Sequence, residues 1–199
     1  MKALPAPLLV ITDRHQARHP IETIAEAIGT AGGRWLLLRD KDLEPAPRRS
    51  LAARLAEVSR RCGIHLSVSR DVDLAAEFGA SVHLQSAAAV GGARRRLGHS
   101  AMIGVSAHGQ GDVAAAAAAG ADYVTLSPIF LTASKPGYGP ALGLAGIGAD
   151  HDQDCRRAPH GLPDDSQYAG QDVCLGLVVA ALRFDDDDQR GGFGGPVGE

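Results

Sequence analysis

Between residues 8 and 147 the chain repeats one unit, a short β-rich apolar run followed by an Ala-rich stretch, at spacings too short for separate domains. Residues 8–12 form a compact β-type run ending at Asp13, and 20–31 then place Ile21, Ile24, Ala25 and Ile28 at helical spacing. Residues 35–38 follow Gly32-Gly33, and 47–62 put Leu51, Leu55 and Val58 on one helical face, with Gly63 as a C-terminal stop. Residues 65–69 with 72–78, 81–84 with 88–97, and 101–105 with 113–119 give three more units, and 123–126 open a sixth.

Continuous apolar strands separated by crossover helices imply parallel pairing, with both sheet faces buried. The residue pattern is that of an α/β barrel or a doubly wound sheet. From about residue 148 the repeat stops and Asp- and Gly-rich blocks replace it, such as Asp185-Asp186-Asp187-Asp188 and Gly191-Gly192-Phe193-Gly194-Gly195. The expected organisation is a domain over 1–147 and an atypical, disordered tail over 148–199, in which only 173–182 could bury itself as a strand or short helix.

At 199 residues and 45% apolar content, one substantial core is expected. A net charge of -3 gives no general attraction to nucleic acid, and Arg60-Arg61 and Arg94-Arg95-Arg96 read as solvated helix faces. Cys62, Cys155 and Cys174 are far apart and odd in number, so neither a disulfide framework nor a zinc site is implied, and a reducing cytoplasm is the simplest compartment. No signal peptide or membrane-length apolar run is present, so a soluble protein with no membrane partner is expected.

In a parallel α/β fold the residues just past the strand ends converge on one face. Here they are Asp13-Arg14, Arg39-Asp40-Lys41, Ser69-Arg70-Asp71, Gln85-Ser86, Ser106-Ala107-His108 and Ser127-Pro128. Arg39 and Lys41, two apart, suit a phosphate or pyrophosphate, although a helix-initiating ion-pair cluster looks the same. His108 could move protons as a general acid/base, or simply bond to a neighbouring backbone group. Thr132-Ala133-Ser134-Lys135-Pro136-Gly137 offers hydroxyls and a cation to a phosphate, as an ordinary surface loop also would.

The ordered set LLVITDR, GGRWLLLRDKDL, VDLAAEFGASVHL, IGVSAH and AAGADYVTLSPIFLTASKPGYGPALGL resembles the thiamine-phosphate synthase / TenI family across residues 8 to 147. GVSAH and GADYVTLSPIFLTASKPG are its most specific parts. The resemblance implies a (β/α)8 TIM-type barrel, here incomplete with about six strand-helix units, and a small-molecule phosphate substrate; it leaves room for a homo-oligomer. In a synthase, Arg39, Lys41 and Lys135 would face a pyrimidine pyrophosphate with Ser106 nearby, and Thr132 and Ser134 would hold a thiazole phosphate.

A synthase of this family would also need Mg2+ on two carboxylates. The family's Gln-x-Arg-x-Lys reads Leu37-Leu38-Arg39-Asp40-Lys41, its Asn-Asp after the third strand reads Ser69-Arg70, and the acidic residue after the fourth falls on Ala88. Asp71 could replace the first carboxylate by a one-residue shift. TenI-type tautomerases need no cofactor and no metal and use a histidine at the position of His108, so the reading favoured is a thiazole tautomerase. The alternatives are a synthase coupling thiazole phosphate to hydroxymethylpyrimidine pyrophosphate, and a non-catalytic or degenerate family member. The family's seventh and eighth strands, with phosphate-binding glycine turns, have no match after Gly148, which reads as a shifted frame or damaged gene end.

Overall fold

A computed structural model describes residues 2–130, 140–143 and 180–183. The elements alternate: β1 (Val10–Ile11), α1 (Ile21–Thr30), β2 (Trp35–Leu38), α2 (Pro45–Cys62), β3 (His65–Ser69), α3 (Val72–Glu77), β4 (Ser81–Leu84), α4 (Val90–Leu97) after a 3-10 turn (Ala87–Ala89), β5 (Ile103–Ala107), α5 (Gln110–Ala118), β6 (Tyr123–Leu126) and β7 (Ala180–Arg183). Strands β1 to β6 lie side by side in chain order, all parallel. A doubly wound sheet reverses its strand order partway, so this order selects the barrel-type alternative.

The sheet curls strongly. Trp35 on β2 and Tyr123 on β6 meet edge to face with ring centroids 4.9 Å apart, whereas four strand spacings in a flat sheet would separate them by about 19 Å. The arrangement is an open part-barrel with helices outside. Strand β7 pairs antiparallel with β6, Val124 opposite Leu182. The expected buriable segment 173–182 thus overlaps a strand, running opposite to a further parallel unit.

Strands β2 to β6 are apolar throughout on one face. Leu36, Leu38, Leu66, Val68, Val82, Leu84, Ile103, Val105, Ala107, Val124 and Leu126 point outward into the helix-covered core. The alternate positions face the barrel interior: Trp35, Leu37, Ser67, Ser69, Ser81, His83, Gly104, Ser106, Tyr123 and Thr125. Gly104 is required there, because a Cβ on it would lie within the Tyr123 ring. Leu4, Ala6 and Leu9 pack against Trp35, Met102 and Tyr123 and close the lower end. Lys2 Nζ fastens that segment by donating to the Ala101 carbonyl at 2.7 Å and pairing with Asp122 at 3.1 Å.

Gly63 ends α2 in the left-handed conformation, φ 66°, as its position implies. Helix α2 starts at Pro45 rather than 47, since a first-turn proline has no amide hydrogen bond to lose. Strand β5 runs 103–107 rather than 101–105, because Ser81 Oγ accepts the Met102 N–H at 3.0 Å before regular pairing with β4 begins. Among the described residues no helix is long and apolar enough to cross a membrane.

Candidate functional site

The upper rim of the part-barrel collects the strand ends. Strand β1 leads to Thr12 and Asp13, and the Thr12 hydroxyl donates to Asp40 Oδ2 at 2.5 Å while accepting the Arg39 N–H at 3.0 Å. Asp40 is buried and also takes the Arg14 N–H at 2.9 Å, so it braces the β1 and β2 ends against each other. Its neighbours stay at the surface: the Arg39 guanidinium is 42% exposed and 4.0 Å from Asp13. Lys41 is exposed, beyond the end of β2, where strand alternation no longer sets its direction. It lines a groove of about 600 Å³ between α2 and α3 with Arg48, Arg49, Asp71 and Asp73.

Arg48, buried in α2, crosses to the end of β3. Its Nη2 donates to the Ser69 carbonyl at 2.7 Å and its Nη1 to Asp71 Oδ2 at 3.2 Å, while Nε has no partner. Asp71 Oδ1 takes the Leu74 N–H at 2.9 Å and so caps α3. Between Ser69 and Asp71 stands Arg70 with φ 69°, its N–H donated to the His83 carbonyl at 2.8 Å. An ion pair between Arg48 and Asp71 thus stands at the start of α3.

His108 immediately follows β5 and is exposed. Its backbone N–H goes to Asp112 Oδ2 and its Nδ1 lies 2.8 Å from the Ser127 carbonyl. A carbonyl only accepts, so Nδ1 carries the proton and the lone pair of the neutral ring is on Nε2. His108 thus bonds to a neighbouring backbone group, and that bond fixes the tautomer of its neutral ring.

Below this rim a polar chain crosses the interior. Trp35 Nε1 donates to Ser67 Oγ at 3.0 Å, Ser67 bonds to the Tyr123 phenol, Tyr123 Oη lies 3.1 Å from His83 Nδ1, and His83 Nε2 lies 3.0 Å from Ser106 Oγ and 3.2 Å from Thr125 Oγ1. Burial pushes the His83 pKa down to about 4 and raises that of Tyr123, so both are neutral near pH 7. Indole can only donate, so a consistent donor order runs from Trp35 through Ser67 and Tyr123 to His83, ending on Ser106. In that order Ser106 keeps its own hydroxyl hydrogen.

Of the residues singled out from the sequence, Arg39 and His108 stand on the strand-end rim, Ser106 faces the interior just below it, and Lys41 lines the adjoining groove. Thr132, Ser134 and Lys135 lie outside the described residues, as do 144–147 and, of the expected tail, 148–179 and 184–199. His83, Tyr123 and Arg48 were not singled out. The alternation SVHLQ, IGVSAH and YVTLS, small or polar at every second residue, is the signal for the first two. Nothing in Pro45-Ala46-Pro47-Arg48-Arg49 separates buried Arg48 from exposed Arg49.

A family model described as thiamine monophosphate synthase matches residues 8–153. A Geobacter sulfurreducens relative is 39% identical over 145 residues, 71% of this chain and 68% of that protein. A protein from Methanoculleus marisnigri named thiamine-phosphate synthase is 38% identical over 143 residues, 70% of this chain and 68% of its own length. Among solved structures, a thiamine phosphate pyrophosphorylase from Pyrococcus furiosus shares the fold at a TM-score of 0.58 and 24% identity, covering 70% of this chain and 66% of that one. The chain spans about two thirds of the length of these proteins. Names of this kind fit the synthase alternative better than the tautomerase reading, which they do not distinguish.

Proposed function

The chain belongs to the thiamine monophosphate synthase family, and on that premise we propose that it couples a thiazole phosphate to a pyrimidine pyrophosphate at the upper rim. The observation that carries the reading is the placement of Arg39 and His108 on one strand-end rim, with Ser106 facing the interior just below it and the Lys41 groove beside it, in a chain whose relative is named a synthase.

Arg39, Lys41 and Ser106 take the parts this chemistry requires. The bond from the pyrimidine methylene carbon to the pyrophosphate oxygen breaks with its electron pair on that oxygen. The thiazole nitrogen then uses its lone pair to form the new C–N bond. Charge develops on the departing pyrophosphate, so cations aimed there stabilise the transition state more than the ground state. Arg39 and Lys41 are suited to that task, and Ser106, its hydroxyl oriented by His83, can donate to a pyrophosphate or pyrimidine acceptor. Thr132 and Ser134 are proposed as the grip on the thiazole phosphate, and Lys135 as a further cation for the pyrophosphate. The reaction is expected to take place in the cytoplasm.

One observation favours a second reading. The His108 tautomer set by the Ser127 carbonyl suits proton transfer on a thiazole carboxylate phosphate, the tautomerase reaction. Incubation of the full chain with each substrate set separates the two. Mass-spectrometric detection of the coupled product with equimolar pyrophosphate supports the synthase, whereas isomerisation of thiazole carboxylate phosphate without coupling supports the tautomerase and overturns the proposal.

A further inference from the structure

Coupling demands positive charge beside the departing pyrophosphate, and the family resemblance would supply it as Mg2+ on carboxylates after β3 and β4. The donor set of this chain does not fit that ion. Arg70 and Ala88 stand where those carboxylates would be. Asp71, the nearest substitute, is committed through Oδ1 to the Leu74 N–H and through Oδ2 to Arg48. Around the groove, Asp73 pairs with Arg96 and Glu77 with Arg49. At the β1 and β2 ends, Asp40 is held by Thr12 and Arg14, and Asp13 by the His15 N–H and Gln16. Among the described residues no group of three or more His, Cys, Asp or Glu side chains is placed to hold a metal ion.

Arg70 supplies an independent observation. It is the one non-glycine residue with positive φ among the described residues, 69°, and its N–H is tied to β4 through the His83 carbonyl at 2.8 Å. That conformation favours Gly, Asn and Asp over a long side chain, and strained backbone at a strand end commonly marks a functional position. A divalent ion with two carboxylates sums to zero charge, whereas Arg70 with Ala88 sums to one positive charge. The substitution keeps this corner attractive to an anion without any ion bound.

We propose that Arg70 takes the place of the metal, so that pyrophosphate is bound, and released from the pyrimidine carbon, by side-chain cations alone: Arg70 with Arg39 and Lys41. The proposal rests on the synthase reading above and names how that site holds its leaving group. Coupling forms one C–N bond and breaks one C–O bond, with the electron pair leaving on pyrophosphate, and needs neither a proton acceptor nor a redox partner.

The test is calorimetric titration of inorganic pyrophosphate into the full chain, in excess EDTA and again in Mg2+, with a parallel titration of thiazole phosphate. Pyrophosphate should bind in EDTA, and Mg2+ should not tighten it. Arg70→Asn, which accepts the left-handed conformation and removes the charge, should weaken binding about tenfold or more, and Arg70→Lys should retain most of it. Arg70→Asp should bind poorly in EDTA and recover in Mg2+. Wild-type binding only with Mg2+, or Arg70→Asn binding as tightly as wild type, overturns the inference while leaving the synthase reading standing. Absence of thiazole phosphate binding would instead count against that reading, with the two pyrophosphate arms still deciding what holds the anion.

Discussion

His83 offers a direct measure of the polar chain inside the barrel, through replacement by glutamine. An amide can still meet Tyr123 on one side and Ser106 on the other, but it does not titrate. In the fold, burial holds the imidazole pKa down to about 4, against about 6.5 in the unfolded chain. Above that higher value the ring is neutral in both states and stability does not depend on it. As pH falls from about 6.5 to about 4, the unfolded chain takes up a proton that the fold refuses, so stability drops, by about 3 kcal/mol in all. Burial of His65 acts in the same direction, and Glu77 and Asp42, lowered by their arginine partners, lose stability at lower pH; these contributions are common to both proteins. Urea unfolding of wild type and His83→Gln at a series of pH values between 7 and 4.5 isolates the difference. The wild-type curve should fall more steeply, by about 2 kcal/mol or more at pH 4.5. Parallel curves would show that His83 ionises freely in the fold and refute the reasoning.

Gly104→Ala should destabilise the protein by about 1–3 kcal/mol, because the added methyl must displace the Tyr123 ring; the melting temperature reports it. Arg48→Met should cost about 2–3 kcal/mol by leaving the Ser69 carbonyl and Asp71 without their partner, and a double-mutant cycle with Asp71→Asn should show coupling between the two. Coupling of the substrates requires no proton transfer, so His108→Ala should change its rate by less than about tenfold, while a fall of about 10²-fold or more would mark proton transfer as the chemical step.

The repeat was legible in the sequence because its outward strand positions and inward helix faces are both apolar. The ends of β2, β3, β4 and β6 fall where the apolar runs place them. Parallel pairing followed from the crossover helices, but the choice of a barrel over a doubly wound sheet depended on the resemblance, since local patterns do not encode strand order. The interior was harder to read. Ser67, His83, Ser106 and Thr125 alternate with core residues, and a hydroxyl or imidazole on a buried barrel face looks in sequence like one on a solvated face. His108 and Arg39 were accessible to reasoning from strand ends alone. Arg48 was not, because its partners, Ser69 and Asp71, are distant in sequence and are brought to it only when α2 packs over β3. Arg70 was visible as a residue that departs from the family pattern, yet its left-handed backbone is set by the link to β4 and could not be foreseen.

The central claim is that this rim joins two phosphorylated heterocycles, and the most direct measurement is product formation by the purified full chain from thiazole phosphate and pyrimidine pyrophosphate. The account predicts one pyrophosphate released for each coupled molecule, with the rate reduced by Arg39→Ala and by Lys41→Ala. Release of pyrophosphate without coupled product, or no reaction by a protein that melts cooperatively and binds both substrates, would contradict it.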